Sequence, residues 1–145
     1  MNALTSLITL RDAVLAREIA MPTLHRLLGP SRPSSADWRL DCDTRELPFK
    51  DAHIELRDGR GSGAVAYLRR PIETSWPALT TLLGSHREVG PACDDWGGPI
   101  SHCFSCRESP SAVRGTLILQ VKYRHPDELP TDAIHVEAIV VRRLE

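Results

Sequence analysis

Four side chains able to bind a soft metal crowd one stretch of this 145-residue chain: Cys93, His102, Cys103 and Cys106, with His86 close by. Cys103-Phe104-Ser105-Cys106 is a C-x-x-C, a spacing at which zinc takes thiolate ligands. No second C-x-x-C and no H-x₃-H partner accompanies it. If His102–Cys106 is a strand, Cys103 and Cys106 point to opposite faces. Buried apolar thiols are therefore the favoured reading, with a zinc site or a disulfide or redox pair as alternatives. A cysteine nucleophile would need a histidine base and an orienting carboxylate in reach. Cys103 with His86 or His125 and Asp94 or Asp95 can be drawn, but no glycine elbow or helix start follows Cys103. The expectation is a protein with no catalytic residue and no cofactor. A small zinc- or cysteine-dependent enzyme centred on Cys93–Cys106 is the competing reading.

Asp94-Asp95-Trp96-Gly97-Gly98-Pro99 points to recognition instead. Tryptophan is enriched at interface hot spots, and adjacent acids meet basic side chains of a partner. Asp94, Asp95, Trp96 and Arg107 are the expected partner-binding residues; the plainer alternative is a turn with Trp96 tucked over a sheet edge and both aspartates solvated. Arg69-Arg70 and Arg142-Arg143 end two matching strands, as solvated strand ends or as a basic rim. His135 and Glu137 share a strand face and are expected in an exposed cross-strand pair. Gly59-Arg60-Gly61-Ser62-Gly63 lacks the following helix and the Gly-Lys-Ser/Thr ending of a phosphate loop, so it reads as a hairpin.

The elements that position these residues come from a degenerate repeat. Residues 22–32 and 77–87 share P-x-L-x-x-L-L-G-x-x-R. Each copy is a short helix with proline in its first turn and glycine where the chain leaves through the left-handed region. Leu24, Leu27 and Leu28, like Leu79, Leu82 and Leu83, form an i, i+3, i+4 face, and Ser75 is the expected N-cap of the second copy. Three strands are expected after each helix: Trp38–Cys42, Ala52–Arg57 and Gly63–Arg70, then His102–Cys106, Gly115–Tyr123 and Ile134–Arg143. Trp38, Leu40 and Cys42 share one face, as do His102, Phe104 and Cys106. The start is ambiguous. Ile8-Thr9-Leu10-Arg11-Asp12 echoes Ile54-Glu55-Leu56-Arg57-Asp58 and favours a strand pair, while Leu4, Leu7, Ile8, Leu15 and Ile19 fit a helix.

Hence the expected fold class is α+β: one domain, 1–145, of two αβββ halves (roughly 8–70 and 71–145) forming a mainly antiparallel sheet with short helices on one face. The composition agrees with one ordinary core, with 41% apolar residues and 26% charged. A net charge of −1 excludes the strongly basic field of a general nucleic-acid binder. The longest apolar runs, such as Ala138–Val141, fall far short of a membrane span, and the first residues lack a secretory signal pattern. Four cysteines without such a signal suggest reduced thiols in the cytoplasm.

The helix ending in Leu-Leu-Gly (Leu27-Leu28-Gly29, Leu82-Leu83-Gly84), followed by a three-stranded meander, resembles the unit of SmpA/OmlA-type outer-membrane assembly proteins. Doubled, it is similar to the β-lactamase inhibitory proteins. Ile8-Thr9-Leu10-Arg11-Asp12 followed by Met21-Pro22 resembles small bacterial proteins of the toxin immunity type. The chain departs from these in having no lipoprotein signal and no paired-cysteine layout, and no functional residue carries over. The resemblance implies a binding protein, not a catalyst; with the repeat, the lack of a catalytic motif and the Asp94-Asp95-Trp96 loop, the expectation is an immunity protein that occludes a toxin. A homodimeric module pairing through an edge strand is a third reading.

Overall fold

In α1 (Ala3–Leu15), Leu7, Leu10 and Val14 recur at i, i+3 and i+7, and all three are fully buried. A computed structural model describes residues 3–45, 47–84, 86–89, 100–106, 113–122 and 133–144. The favoured strand pair at the start is therefore corrected to a helix. A strand over Ile8–Asp12 would put Leu7 and Leu10 on opposite faces, whereas one helical stripe buries both. α1 packs on two central strands, β4 (Arg60–Ser75) and β8 (Ala133–Arg143), and against α2 (Met21–Leu28).

The two repeat helices differ in detail. α2 has proline in its first turn and buries Leu24, Leu27 and Leu28. In α3 (Trp76–Leu83), the Ser75 hydroxyl accepts from the Ala78 N–H at 3.2 Å, as expected of its N-cap. Its buried face is corrected, however: Leu79 is fully buried while Leu82 is 46% exposed. Trp76 and Leu83 pack partly buried against the core with Leu79, an i, i+3, i+7 stripe rotated from the expected one. Both helices leave through a glycine, Gly29 (φ 95°, ψ 167°) and Gly84 (φ 86°, ψ −168°). That is the extended positive-φ region, open essentially to glycine alone, rather than the left-handed helical region.

Among the described residues the strands pair antiparallel in one eight-stranded sheet, ordered β1-β2-β3-β4-β8-β7-β6-β5. The remaining strands are β1 (Ser31–Pro33), β2 (Arg39–Cys42), β3 (Phe49–Arg57), β5 (His86–Val89), β6 (Ile100–Cys106) and β7 (Gly115–Lys122). The six expected strands are present, and the fold is α+β. Each half contributes four strands rather than three, because β1 and β5 form the two edges. Both escaped notice for a physical reason. Ser31–Pro33 is three residues with a proline, which edge strands tolerate, and His86-Arg87-Glu88-Val89 has no run of β-formers. The order is palindromic in the two halves, with β4 and β8 meeting at the centre.

The core lies between the helices and one sheet face. Ile54, Ala64, Val141, Leu117 and Phe104 follow one another across five strands by register, and all are fully buried in the same apolar cluster as Leu7, Leu24 and Leu79. β3 and β4 join through a two-residue turn, Asp58-Gly59, with φ of 52° and 76°, the type I′ geometry that Asp-Gly favours. Between Tyr67↔Ala138 and Ile72↔Val136 the register of β4 slips. This bulge accommodates Pro71, which cannot donate to a ladder. Among the described residues no helix is long and apolar enough to cross a membrane.

Two of the arginines expected at strand ends brace the fold, although Arg69-Arg70 lies inside β4, which continues to Ser75 rather than ending there. Arg143 reaches from the end of β8 to the C-terminus of α1, donating to the carbonyls of Val14 (2.9 Å), Ala16 (2.6 Å) and Arg17 (3.0 Å). A cation there meets the negative end of the helix dipole. Arg69 donates to the carbonyls of Arg45, Leu47 and Phe49, tying the β2–β3 connection to β4. Of the four arginines expected in solvated ends or a basic rim, Arg69 and Arg143 thus donate to carbonyl groups and Arg142 pairs with Glu55, while Arg70 is exposed. Arg143→Ala is expected to lower stability by about 2 kcal/mol and the Tm by about 6 °C, read by thermal denaturation.

Candidate functional site: the sheet face opposite the helices

The sheet face opposite the helices carries three cross-strand rows. The first runs Arg39, Glu55, Gly63, Arg142 and Thr116; the second Asp41, His53, Val65, Val140, Ile118 and Cys103; the third Asp51, Tyr67, Ala138 and Gln120. Strand alternation fixes this pattern, since residues two apart return to the same face.

In the first row an ion pair spans a whole strand. Arg142 on β8 donates to both carboxylate oxygens of Glu55 on β3, at 2.8 and 3.2 Å, although β4 lies between them. Gly63 of β4 makes this feasible. A Cβ there would lie 2.9 Å from Glu55 Oε1 and 3.2 Å from Arg142 Cγ. The hydrogen bond to Glu55 raises the Arg142 pKa above its usual value, so the guanidinium stays charged at every ordinary pH. Two-pronged arginine–carboxylate geometry makes this the ordered part of the face.

At the end of the second row stands an aromatic and cationic group. The Trp38 and His53 rings meet edge to face, centroids 5.8 Å apart at 88°. The Arg39 guanidinium lies 5.2 Å from the Trp38 ring centre, and its Nε meets Asp41 at 3.1 Å. Trp38 nevertheless remains 48% exposed. The face expected for it, shared with Leu40 and Cys42, is corrected: β2 begins at Arg39, so alternation does not extend to residue 38. The signal available in the sequence was the Ser34-Ser35-Ala36-Asp37 stretch just before it, a turn composition that frees the next residue from a strand face.

Burial pushes His53 below its usual pKa, reinforced by Arg39 and opposed by Glu55, Asp51 and Asp41. His53 is therefore neutral at neutral pH. With a folded pKa below the unfolded value of 6.5, the neutral ring contributes stability that is complete above that value and lost as pH falls through the folded pKa. Between about pH 7.5 and about pH 5.5, the Tm of the wild type should fall further than that of His53→Phe, which keeps a ring beside Trp38 but cannot titrate. Parallel Tm–pH curves would show that His53 carries no such linkage.

The cysteines are placed as far as they are described. Cys42 is a free thiol whose pKa is pushed up to about 11 by burial, with Asp41 and Asp51 adding to it. Such a thiol is protonated and a poor nucleophile. Cys103 is free and 6% exposed. His102, Cys103 and Cys106 all belong to β6, paired with Leu119, Ile118 and Gly115, and positions 103 and 106 have opposite parity in that strand. Cys93, Asp94, Asp95, Trp96 and Arg107 lie outside the described residues. Among the described residues no three His, Cys, Asp or Glu side chains gather as a metal site. His135 does form its cross-strand contact, with Glu73 rather than Glu137, at 3.9 Å.

Comparison with known protein families, with curated proteins and with solved structures gives no match.

Proposed function

We propose that the chain is a non-catalytic protein-binding module that acts stoichiometrically in the cytoplasm, as an immunity protein neutralising a toxin by occlusion. The observation that carries this reading is Trp38. A large aromatic side chain left 48% exposed, yet held by a ring edge on one side and a guanidinium on the other, is ordered before any partner arrives. Tryptophan and arginine dominate the energetics of protein interfaces, and groups already fixed lose little entropy on binding. The ionic row beside it supplies polar surface of the kind found at interface rims. The Asp94-Asp95-Trp96 loop and Arg107 are proposed as a second contact region.

The test is co-purification with the product of the reading frame immediately upstream, the expected place of a cognate toxin. The reading expects a complex of one copy each that restores growth to cells expressing the toxin. Trp38→Ala should weaken the complex about thirtyfold, the effect of an interface hot spot, with Tm within a few degrees of wild type. Absence of a complex, or unchanged affinity in both Trp38→Ala and a triple alanine variant of Asp94, Asp95 and Trp96, would overturn it.

A further inference from the structure

The groove at the β3–β4 turn carries two arginines, Arg57 and Arg60, that neither the fold nor the protein-binding reading uses. It encloses about 450 Å³ and is lined by Arg57, Asp58, Arg60, Gly61 and Arg143. Arg57 and Arg60 are direct cross-strand partners closing the turn, and like charges in that relation repel. Neither side chain makes a hydrogen bond or ion pair among the described residues. Arg143 is held from behind by the three carbonyls of the α1 terminus, and its Nε–H has no partner among the described residues. Three guanidinium groups against one carboxylate give the lining a formal charge of +2, on a chain whose total is −1.

We propose that this groove binds a dianionic oxyanion of the phosphate class, as the free ion or as a small phosphate monoester. Guanidinium forks match the geometry of phosphate oxygens and keep their charge at all ordinary pH values. A dianion cancels the local +2, which a single carboxylate leaves half uncompensated. The arrangement also has the division of labour of a ligand site. Arg143 is a fixed charge set by the fold, while Arg57 and Arg60 are exposed and free to close on the ligand. The inference stands independently of the proposed protein partner.

The test is a two-dimensional NMR titration of the full chain with sodium phosphate and with phenyl phosphate, each against sodium chloride at matched ionic strength. Saturable shifts at Asp58, Gly59, Arg60 and Gly61 with either phosphate, absent with chloride, are expected. Tighter binding of phenyl phosphate identifies an organic monoester as the ligand type, and tighter binding of inorganic phosphate identifies the free ion. The variant Arg57→Ser/Arg60→Ser, which leaves Arg143 in place to cap α1, should bind about tenfold more weakly, the value of one charge-assisted hydrogen bond. Equal shifts with chloride, or unchanged affinity in the double variant with a native-like spectrum, overturn the proposal.

Discussion

Gly29→Ala is expected to remove much of the stability of the fold, while the same change at the matching repeat position, Gly84→Ala, costs far less. Both glycines occupy the same positive-φ region after their helices, so backbone strain alone costs each variant about 1–3 kcal/mol. Their surroundings separate them. A Cβ at Gly29 would stand 1.8 Å from the carbonyl oxygen of Asp43, whereas at Gly84 it meets nothing within 4 Å. Asp43 is fixed there because its N–H donates to the Pro30 carbonyl at 2.9 Å, as the chain enters and leaves the β1–β2 hairpin. Neither backbone segment can move aside without breaking that edge. The Gly29 variant should therefore lose about 4 kcal/mol or more, much of the stability of an ordinary domain. Urea denaturation of both variants reads the contrast, and similar losses at the two positions would show that crowding at Asp43 plays no part.

The second large effect is expected in α1. Leu7→Ala and Leu10→Ala should each cost about 3–5 kcal/mol, lowering the Tm by about 10 °C. Both side chains are fully buried against the sheet centre. Arg11→Ala, which removes only an exposed pair with Asp12, should change stability by less than about 0.5 kcal/mol. The Leu7 variant is the sharper of the two leucine tests. A strand over Ile8–Asp12 with Leu10 inward leaves Leu7 outward, and its replacement would then be nearly silent. Thermal denaturation of all three variants separates the two geometries.

What the sequence made legible follows from how locally each feature is encoded. Periodicity and turn chemistry are local, so the repeat helices, the Asp58-Gly59 hairpin and the six longer strands could be read from neighbouring residues. The N-terminal segment could not, because its helical and alternating patterns overlap at Ile8, and only the sheet centre beneath it decides between them. The edges β1 and β5 were hidden for another reason: three or four polar residues become strands only when a longer neighbour offers its free hydrogen-bonding groups. The face of α3 was misassigned because the repeat implied a symmetry that packing does not keep. Leu82 turns outward while Trp76 turns in.

Site features depend even more on long-range placement. Nothing local in Arg142, Glu55 and Gly63 announces an ion pair across an intervening strand, since it joins residues 87 apart in sequence. Nor does Arg143 look different from Arg142 until the end of α1 is seen beside it. The groove at the β3–β4 turn likewise needs β8 to bring its third guanidinium. Trp38 leaves the face that alternation assigns it with Leu40 and Cys42, because β2 begins one residue later.

Because β1–β4 and β5–β8 are each runs of sequence neighbours, six of the seven strand pairings close between consecutive strands. The seventh, β4 with β8, brings Ala64 to Val141, and the chain between them must lose most of its freedom before that contact stabilises anything. Folding speed is therefore governed by a single join. Changes there act mainly on the rate of folding, and changes in the outer hairpins mainly on the rate of unfolding. α1 lies over both β4 and β8, so its packing on the sheet is completed only once that join has formed.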